Sequence, residues 1–340
     1  ASGLQIIQAG TMPLPPPTLV GMLDTSAAMD VDFSGNYVYI ADSTAGLKII
    51  NVSTPSTPTL TITFSTTAAN GVDVVGNKAY VADGDAGLRI IDLSVPSTPT
   101  LMGTYDTVGS ALDVTVVGNY AYVADGPSST NLAIIDVTTP STPTLTGSVN
   151  VSGSTSNVTV LGNTAYFESS TFNTLYVYNV SIPSTPTLIA SISATDALHG
   201  APAVAGDYLY LPDTTNGFKI YDINPPSTPT LVGTHPSTAS AVAVAGNFAY
   251  LADGGNGLTV LNVSTPASPA YATSFDTSGV TADLALAGNY AYLADGASGL
   301  AILKIGDYPT TGTNTFQSPV IDLVNATNFN TFSWSPVSQP

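Results

Sequence analysis

The chain has 340 residues, 44% of them hydrophobic, with 30 Gly, 25 Pro, no Cys and only 5 basic against 23 acidic residues, a formal net charge of −18. Nucleic acid and anionic membrane surfaces are bound by clustered Lys and Arg, so the composition argues against both partners, while an acidic surface favours solubility and attracts cations. Without cysteine there is no disulfide, thiolate nucleophile or thiolate metal site, and no apolar run is long enough for a membrane-spanning helix.

Residues 1–16 read as an N-terminal extension. The chain starts at Ala1 without Met, which fits a mature product after signal-peptide removal and an extracellular or cell-surface location; a start chosen by design would look the same. The apolar run in "GLQIIQAG" offers Leu4, Ile6 and Ile7 as contact residues, and "PLPPP" after it is a stiff spacer.

From residue 17 the sequence is periodic. A Gly-Asn-x-Ala-Tyr-Val-Ala-Asp element recurs with variations from Gly35, Gly76, Gly118, Gly162, Gly206, Gly246 and Gly288, at spacings of 41, 42, 44, 44, 40 and 42 residues. Seven copies of about 42 residues suit four short strands each, the size of a propeller blade. In the second copy "GVDVVGN" gives a first strand ending in a tight turn at Gly76-Asn77, where both residues tolerate positive φ. "KAYVADG" and "GLRIIDLS" supply the second and third strands, and "TLMGTYDT" the fourth. The prolines of "PSTPTL" cannot donate ladder hydrogen bonds, so they belong to the connection or the outer edge. The last copy has no fourth strand after Lys304, whereas "PTLVGMLDT" at Pro17–Thr25 is a fourth strand without a blade. The expectation is an all-β, seven-bladed β-propeller over residues 17–308, closed by this N-terminal strand, with residues 309–340 as a C-terminal linker and strand extension.

"LKIIN" (Leu47–Asn51), "LRIID" (Leu88–Asp92) and "LAIID" (Leu132–Asp136), with the surrounding Ala-Tyr-Val-Ala-Asp and Gly-Leu pattern, resemble the signature of the LVIVD-repeat β-propellers. "LYVYN", "FKIYD", "LTVLN" and "LAILK" are weaker copies. The resemblance implies a secreted or cell-surface propeller and carries no shared catalytic motif.

The residues themselves offer little chemistry. His199 lies in a connection, "DALHGAP", and His235 takes a fourth-strand place held elsewhere by Leu23 and Tyr105, so neither reads as an acid–base group and no enzyme is expected. Asp42, Asp83, Asp125, Asp213, Asp253 and Asp295 end the second strands of six blades, with Ser169 beside Glu168 in the other, and symmetry puts them on one face. One reading is Ca²⁺ or a cationic ligand; the other is that each Asp hydrogen-bonds its own turn. Ca²⁺ needs six to eight oxygens within about 2.6 Å, which one Asp per blade cannot supply. Asp83 and Asp85 in "DGDAG" are the best metal candidates, and no cofactor is expected. Asp30, Asp113 and Asp283 start first strands, with Asn157 at the matching site, where they either face the channel or cap turns. Sequons make Asn51, Asn150, Asn157, Asn179, Asn262 and Asn325 candidate glycosylation acceptors.

After the turn-rich "DYPTTGTN" come two strand-like segments, "SPVIDLV" and "NTFSWSPV", where alternation puts Phe332 and Trp334 on one face. The segments either pack on the propeller's outside or open a further domain; if the chain ends at Pro340, a two-stranded fragment cannot form its own core and would be satisfied by a neighbouring subunit. Val320, Ile321, Leu323, Phe329, Phe332 and Trp334 are therefore candidate contacts for strand addition to another copy. The resulting expectation is a self-associating surface or filament subunit, assembled head-to-tail. The alternative is a ligand- or protein-binding propeller within a larger surface protein.

Overall fold

The structure, a computed structural model, describes residues 14–126, 130–169, 173–193, 200–213 and 217–306. The chain divides after Gly306, and the described residues all belong to the first unit. The candidate contacts Leu4, Ile6, Ile7, Val320, Ile321, Leu323, Phe329, Phe332 and Trp334, the sequon at Asn325 and His199 lie outside the described residues.

The N-terminal strand is β1 (Thr18–Leu23). Blade one contains β2 (Asp30–Ser34), β3 (Tyr37–Ala41), β4 (Leu47–Asn51) and β5 (Thr59–Phe64). Blade two contains β6 (Gly71–Val75), β7 (Lys78–Ala82), β8 (Leu88–Asp92) and β9 (Thr100–Tyr105). Blade three contains β10 (Ala111–Val117), β11 (Tyr120–Asp125), β12 (Leu132–Asp136) and β13 (Thr144–Val149). Blade four contains β14 (Thr155–Leu161), β15 (Thr164–Ser169), β16 (Thr174–Asn179) and β17 (Thr187–Ser193). Blade five contains β18 (Ala203–Ala205), β19 (Tyr208–Leu211), β20 (Phe218–Asp222) and β21 (Thr230–His235). Blade six contains β22 (Ala241–Ala245), β23 (Phe248–Ala252), β24 (Leu258–Asn262) and β25 (Ala270–Phe275). Blade seven contains β26 (Asp283–Ala287), β27 (Tyr290–Ala294) and β28 (Leu300–Lys304), and β1 is its fourth strand, antiparallel to β28 with Thr18 opposite Lys304 and Leu23 opposite Leu300.

All seven sheets are four-stranded and antiparallel, six of them continuous meanders and the seventh completed by β1, and their inner strands neighbour one another in a complete circuit from β2 through β6, β10, β14, β18, β22 and β26 back to β2. The local cause is the repeat. Gly76 has φ +64°, a conformation glycine adopts without steric cost, and so lets β6 reverse directly into β7. Second strands such as Lys78–Ala82 are buried at every residue but the first, because each sheet is packed on both faces. That is why they read as apolar runs rather than alternating patterns.

Each core cluster bridges two neighbouring blades. Val31, Val38, Ile40 and Ile50 of blade one pack with Tyr292, Leu300 and Ile302 of blade seven, and Phe33 stacks on Tyr292 with centroids 5.0 Å apart. Burying each aliphatic side chain contributes roughly 1.5–3 kcal/mol, so the inter-blade faces carry most of the stabilisation. The outer strands add a further link. A Cβ at Gly21, Gly103, Gly147 or Gly233 would run into the Pro55, Pro140, Pro183 or Pro266 carbonyl oxygen of the next blade's loop. A bulge just before each of these glycines twists the exposed edge, which discourages pairing with a passing strand.

Candidate functional site

Two sets of carboxylates dominate the ring's chemistry. The first ends the second strands. Asp42 accepts hydrogen bonds from the Ala27 amide (2.6 Å) and Thr25 Oγ1 (2.8 Å), in the loop that enters its blade from β1. Asp83 does the same with the Thr67 and Ala68 amides (2.7 and 2.6 Å), Asp253 with the Thr238 amide (2.7 Å), and Asp295 with the Gly279 amide (3.0 Å) and the Thr277 and Thr281 hydroxyls. Asp125 accepts from the Gly109 amide and Thr130 Oγ1, both at 3.0 Å. In blade four Ser169 donates instead to the Ser152 carbonyl at 2.8 Å. These side chains are clamps on the loop arriving from the preceding blade, which differs from the expectation that each would bond its own turn.

Three of the five basic residues serve the same set. Lys48 lies 3.5 Å from Asp42, Lys219 lies 2.6 Å from Asp213, and Arg89 is paired with Asp83. All three are second residues of third strands, on the face that points back to the clamp. The two metal candidates, Asp83 and Asp85, have different surroundings. Asp83 is fully buried with its oxygens on two amides and a guanidinium, while Asp85 is exposed beside a separate cleft. Among the described residues no group of three or more His, Asp or Glu is arranged to hold a metal ion.

The second set lines the channel. Asp30 and Asp32 of β2 accept from the Val72 and Val74 amides of blade two, each at 2.6 Å. Asp73 of β6 accepts from Val116 of blade three at 2.6 Å, and Asp113 of β10 from Val158 of blade four at 2.8 Å. Asp283 of β26 accepts from Val31 of blade one at 3.2 Å, and the same amide donates to Asp30 at 2.8 Å. Each carboxylate thus stitches its inner strand to the next one around the ring. Asn157, the fourth blade's counterpart, is partly exposed and donates to the buried Glu168 at 2.9 Å.

Withdrawal from water raises the whole set. Burial, reinforced by neighbouring carboxylates, pushes Asp73 and Asp113 up to about 7. Burial and then the Asp283 charge carry Asp30 well above the carboxylate range, and burial raises Asp32 and Asp283. Glu168 rises to about 7 through burial, against the opposing hydrogen bonds from Asn157 and Ser156. Reading the sequence alone does not single out Asp32 and Asp73. The available signal is their common place three residues before Gly35 and Gly76, with Asp32 sharing a strand face with Asp30.

The remaining candidates are simpler. Asn51, Asn179 and Asn262 each accept from the amide two residues on (2.9, 2.8 and 2.9 Å), just as Asp92, Asp136 and Asp222 do in other blades. Asn150 is exposed after β13, and His235 ends β21 opposite Phe218. A polar cleft of about 490 Å³ is lined by Asp85 and Asp106–Ser110. An apolar one of about 290 Å³ lies between blades six and seven, lined by Leu19, Met22, Phe275 and Ala301 among others.

The fold and its sites thus define a β-propeller whose carboxylates join blade to blade. The LVIVD repeat family matches residues 26–66, 68–107, 108–151, 152–194, 203–235, 236–277 and 278–308, and the chain belongs to that family. No curated protein matches the chain. Among solved structures, the β-propeller domain of Cps50 (Swd1) from Myceliophteria thermophila is similar at TM-score 0.70 and 9% identity, over 85% of this chain and 100% of that one. BamB from Moraxella catarrhalis is similar at TM-score 0.61 and 12% identity, over 84% and 97%. The computationally designed protein Ika8 is similar at TM-score 0.61 and 10% identity, over 84% and 99%. At these identities the likeness is one of fold.

Proposed function

We propose that the protein is a non-enzymatic structural propeller that works outside the cell and associates with further copies of itself, through the strand-forming segment that comes after the ring. The observation that carries this reading is saturation of the ladder: all seven sheets have their four strands within residues 18–304. On this reading the apolar residues of "SPVIDLV" and "NTFSWSPV" are offered for strand addition to another copy. The engagement of the clamp carboxylates with backbone and cations supports a scaffolding role over an enzymatic one. The test is deletion of residues 312–340, then electron microscopy and light scattering of the native and shortened proteins. Assemblies formed by the full chain and lost on deletion are the expected result; assemblies that persist unchanged contradict strand donation.

A second reading, a ligand- or protein-binding module of a larger surface protein, is favoured by the polar cleft at Asp85 and Asp106–Ser110, whose rim carries the 71%-exposed Val108. A partner captured by the native ring and lost on Val108→Asp would support it.

A further inference from the structure

The channel wall holds a charge problem that the hydrogen bonds alone do not resolve. The Val31 amide donates to Asp30 Oδ1 at 2.8 Å and to Asp283 Oδ2 at 3.2 Å, so two carboxyl groups from different blades converge on one N–H. One donor cannot satisfy two carboxylate oxygens as well as separate donors would, and two negative charges on adjoining, partly buried strands repel. Among the described residues, the seven inner strands contain no Lys, Arg or His to compensate the pair. The groups that face the pair are themselves acidic or phenolic. They are Asp32 on the same strand, Asp73 on β6 and Asp113 on β10, with Tyr39 of β3 beside Asp32, Tyr80 of β7 beside Asp73, and Tyr292 of β27 stacked on Phe33. The other neighbour of β26 is β22, whose sequence AVAVA has no titratable group. The site also lies where the ring closes, against the one blade whose sheet joins β1 to strands more than 250 residues later.

We propose that the joint between blade seven and blade one is an acid-strengthened seam. One proton held between Asp30 and Asp283 keeps both carboxyl groups on the Val31 amide, and loss of that proton as pH rises loosens the ring there. The sign is set by linkage. Both groups are raised above the ordinary carboxylate value, by burial first, so folding favours their protonated form. The stabilisation is full below about pH 4 and is lost as pH rises through the higher folded values. Asp73 and Asp113, raised to about 7, extend the same dependence around the wall.

The test tracks the thermal midpoint of the full chain by circular dichroism between pH 5 and pH 9, alongside Asp283→Asn, Asp30→Asn and the exposed Asp276→Asn. The wild-type midpoint is expected to fall by at least about 5 °C from pH 5 to pH 9. Asp283→Asn, whose amide supplies Asp30 with a permanent donor, is expected to remove part of that fall, and Asp30→Asn a similar part, the remainder belonging to Asp73 and Asp113; Asp276→Asn should remove none of it. A wild-type midpoint that is flat or rises with pH overturns the proposal, as does a slope changed equally by Asp276→Asn, which would make it an effect of net charge. Infrared spectroscopy of the wild-type protein covers the case in which the seam variants do not fold. A protonated-carboxyl band that survives above the ordinary carboxylate range of about 4 and is lost as pH rises further is expected, and it should persist in Asp73→Asn and Asp113→Asn; a band confined to the ordinary range overturns the seam.

Discussion

Blades seven, one, two and three and blades five and six build the same channel in opposite ways. In the first group Asp283, Asp30, Asp32, Asp73 and Asp113 reach across each junction to a neighbouring amide. In the second the equivalent positions are Ala201, Ala203, Ala241 and Ala243, and the chains come close enough for Ala201 and Ala241 to form a direct parallel bridge, the Ala201 amide donating to the Ser240 carbonyl at 2.8 Å. Ser240 then extends the contact to blade seven through Oγ, which donates to the Ala282 carbonyl at 2.7 Å. A carboxylate spans a wider gap at the cost of desolvating charge; alanine closes the gap and leaves only backbone. The seven-fold ring is thus chemically lopsided, sensitive to protons on one side and to side-chain volume on the other.

Substitutions can break that contrast in graded steps. The largest effect is expected where both halves depend on the same device, the clamp. Asp83→Ala leaves the Arg89 guanidinium and two loop amides without their partner and is expected to cost about 3–5 kcal/mol in urea unfolding. Next comes the alanine side. Ala241 is 2% exposed, and Ala241→Val is expected to cost about 1–3 kcal/mol by overpacking, with no change in pH dependence between pH 5 and 9. The acidic side should respond in the reverse manner. Asp73 is raised to about 7 by burial, so Asp73→Asn removes a group that resists ionisation; the variant should gain on the wild type in thermal midpoint as pH rises from 5 to 8. The smallest effect belongs to Asn51→Asp. Asp92 accepts the same turn amide in blade two that Asn51 accepts in blade one, so the change should stay within about 0.5 kcal/mol.

The blades are legible in the sequence because their cause is local: a turn glycine, a run of small and aromatic residues buried on both faces, and a proline-bearing link repeat every 40 to 44 residues. The clamp is only half legible. The Asp positions are visible, but their loop partners lie 14 to 18 residues upstream in the connection from the preceding blade, as for Asp42 with Thr25 to Ala27 and Asp295 with Thr277 and Thr281. The roles of Lys48, Arg89 and Lys219 are hidden for the same reason: they depend on which face of the third strand looks toward the clamp. The channel stitch is hardest. Its bonds join residues about 42 to 45 apart, or 252 apart at the seam, and one strand's sequence does not reveal its neighbour's register. Gly71, standing where Asp30 and Asp113 stand in their own blades, also breaks the pattern in blade two.

Carboxyl groups raised by burial in the wall of blades seven to three set this half of the ring apart. Carboxyl-carbon NMR of Asp73 and Asp113 through a pH titration measures them directly. Midpoints near 7 are predicted for both; midpoints near the ordinary carboxylate value of about 4 would contradict the proton-loaded wall.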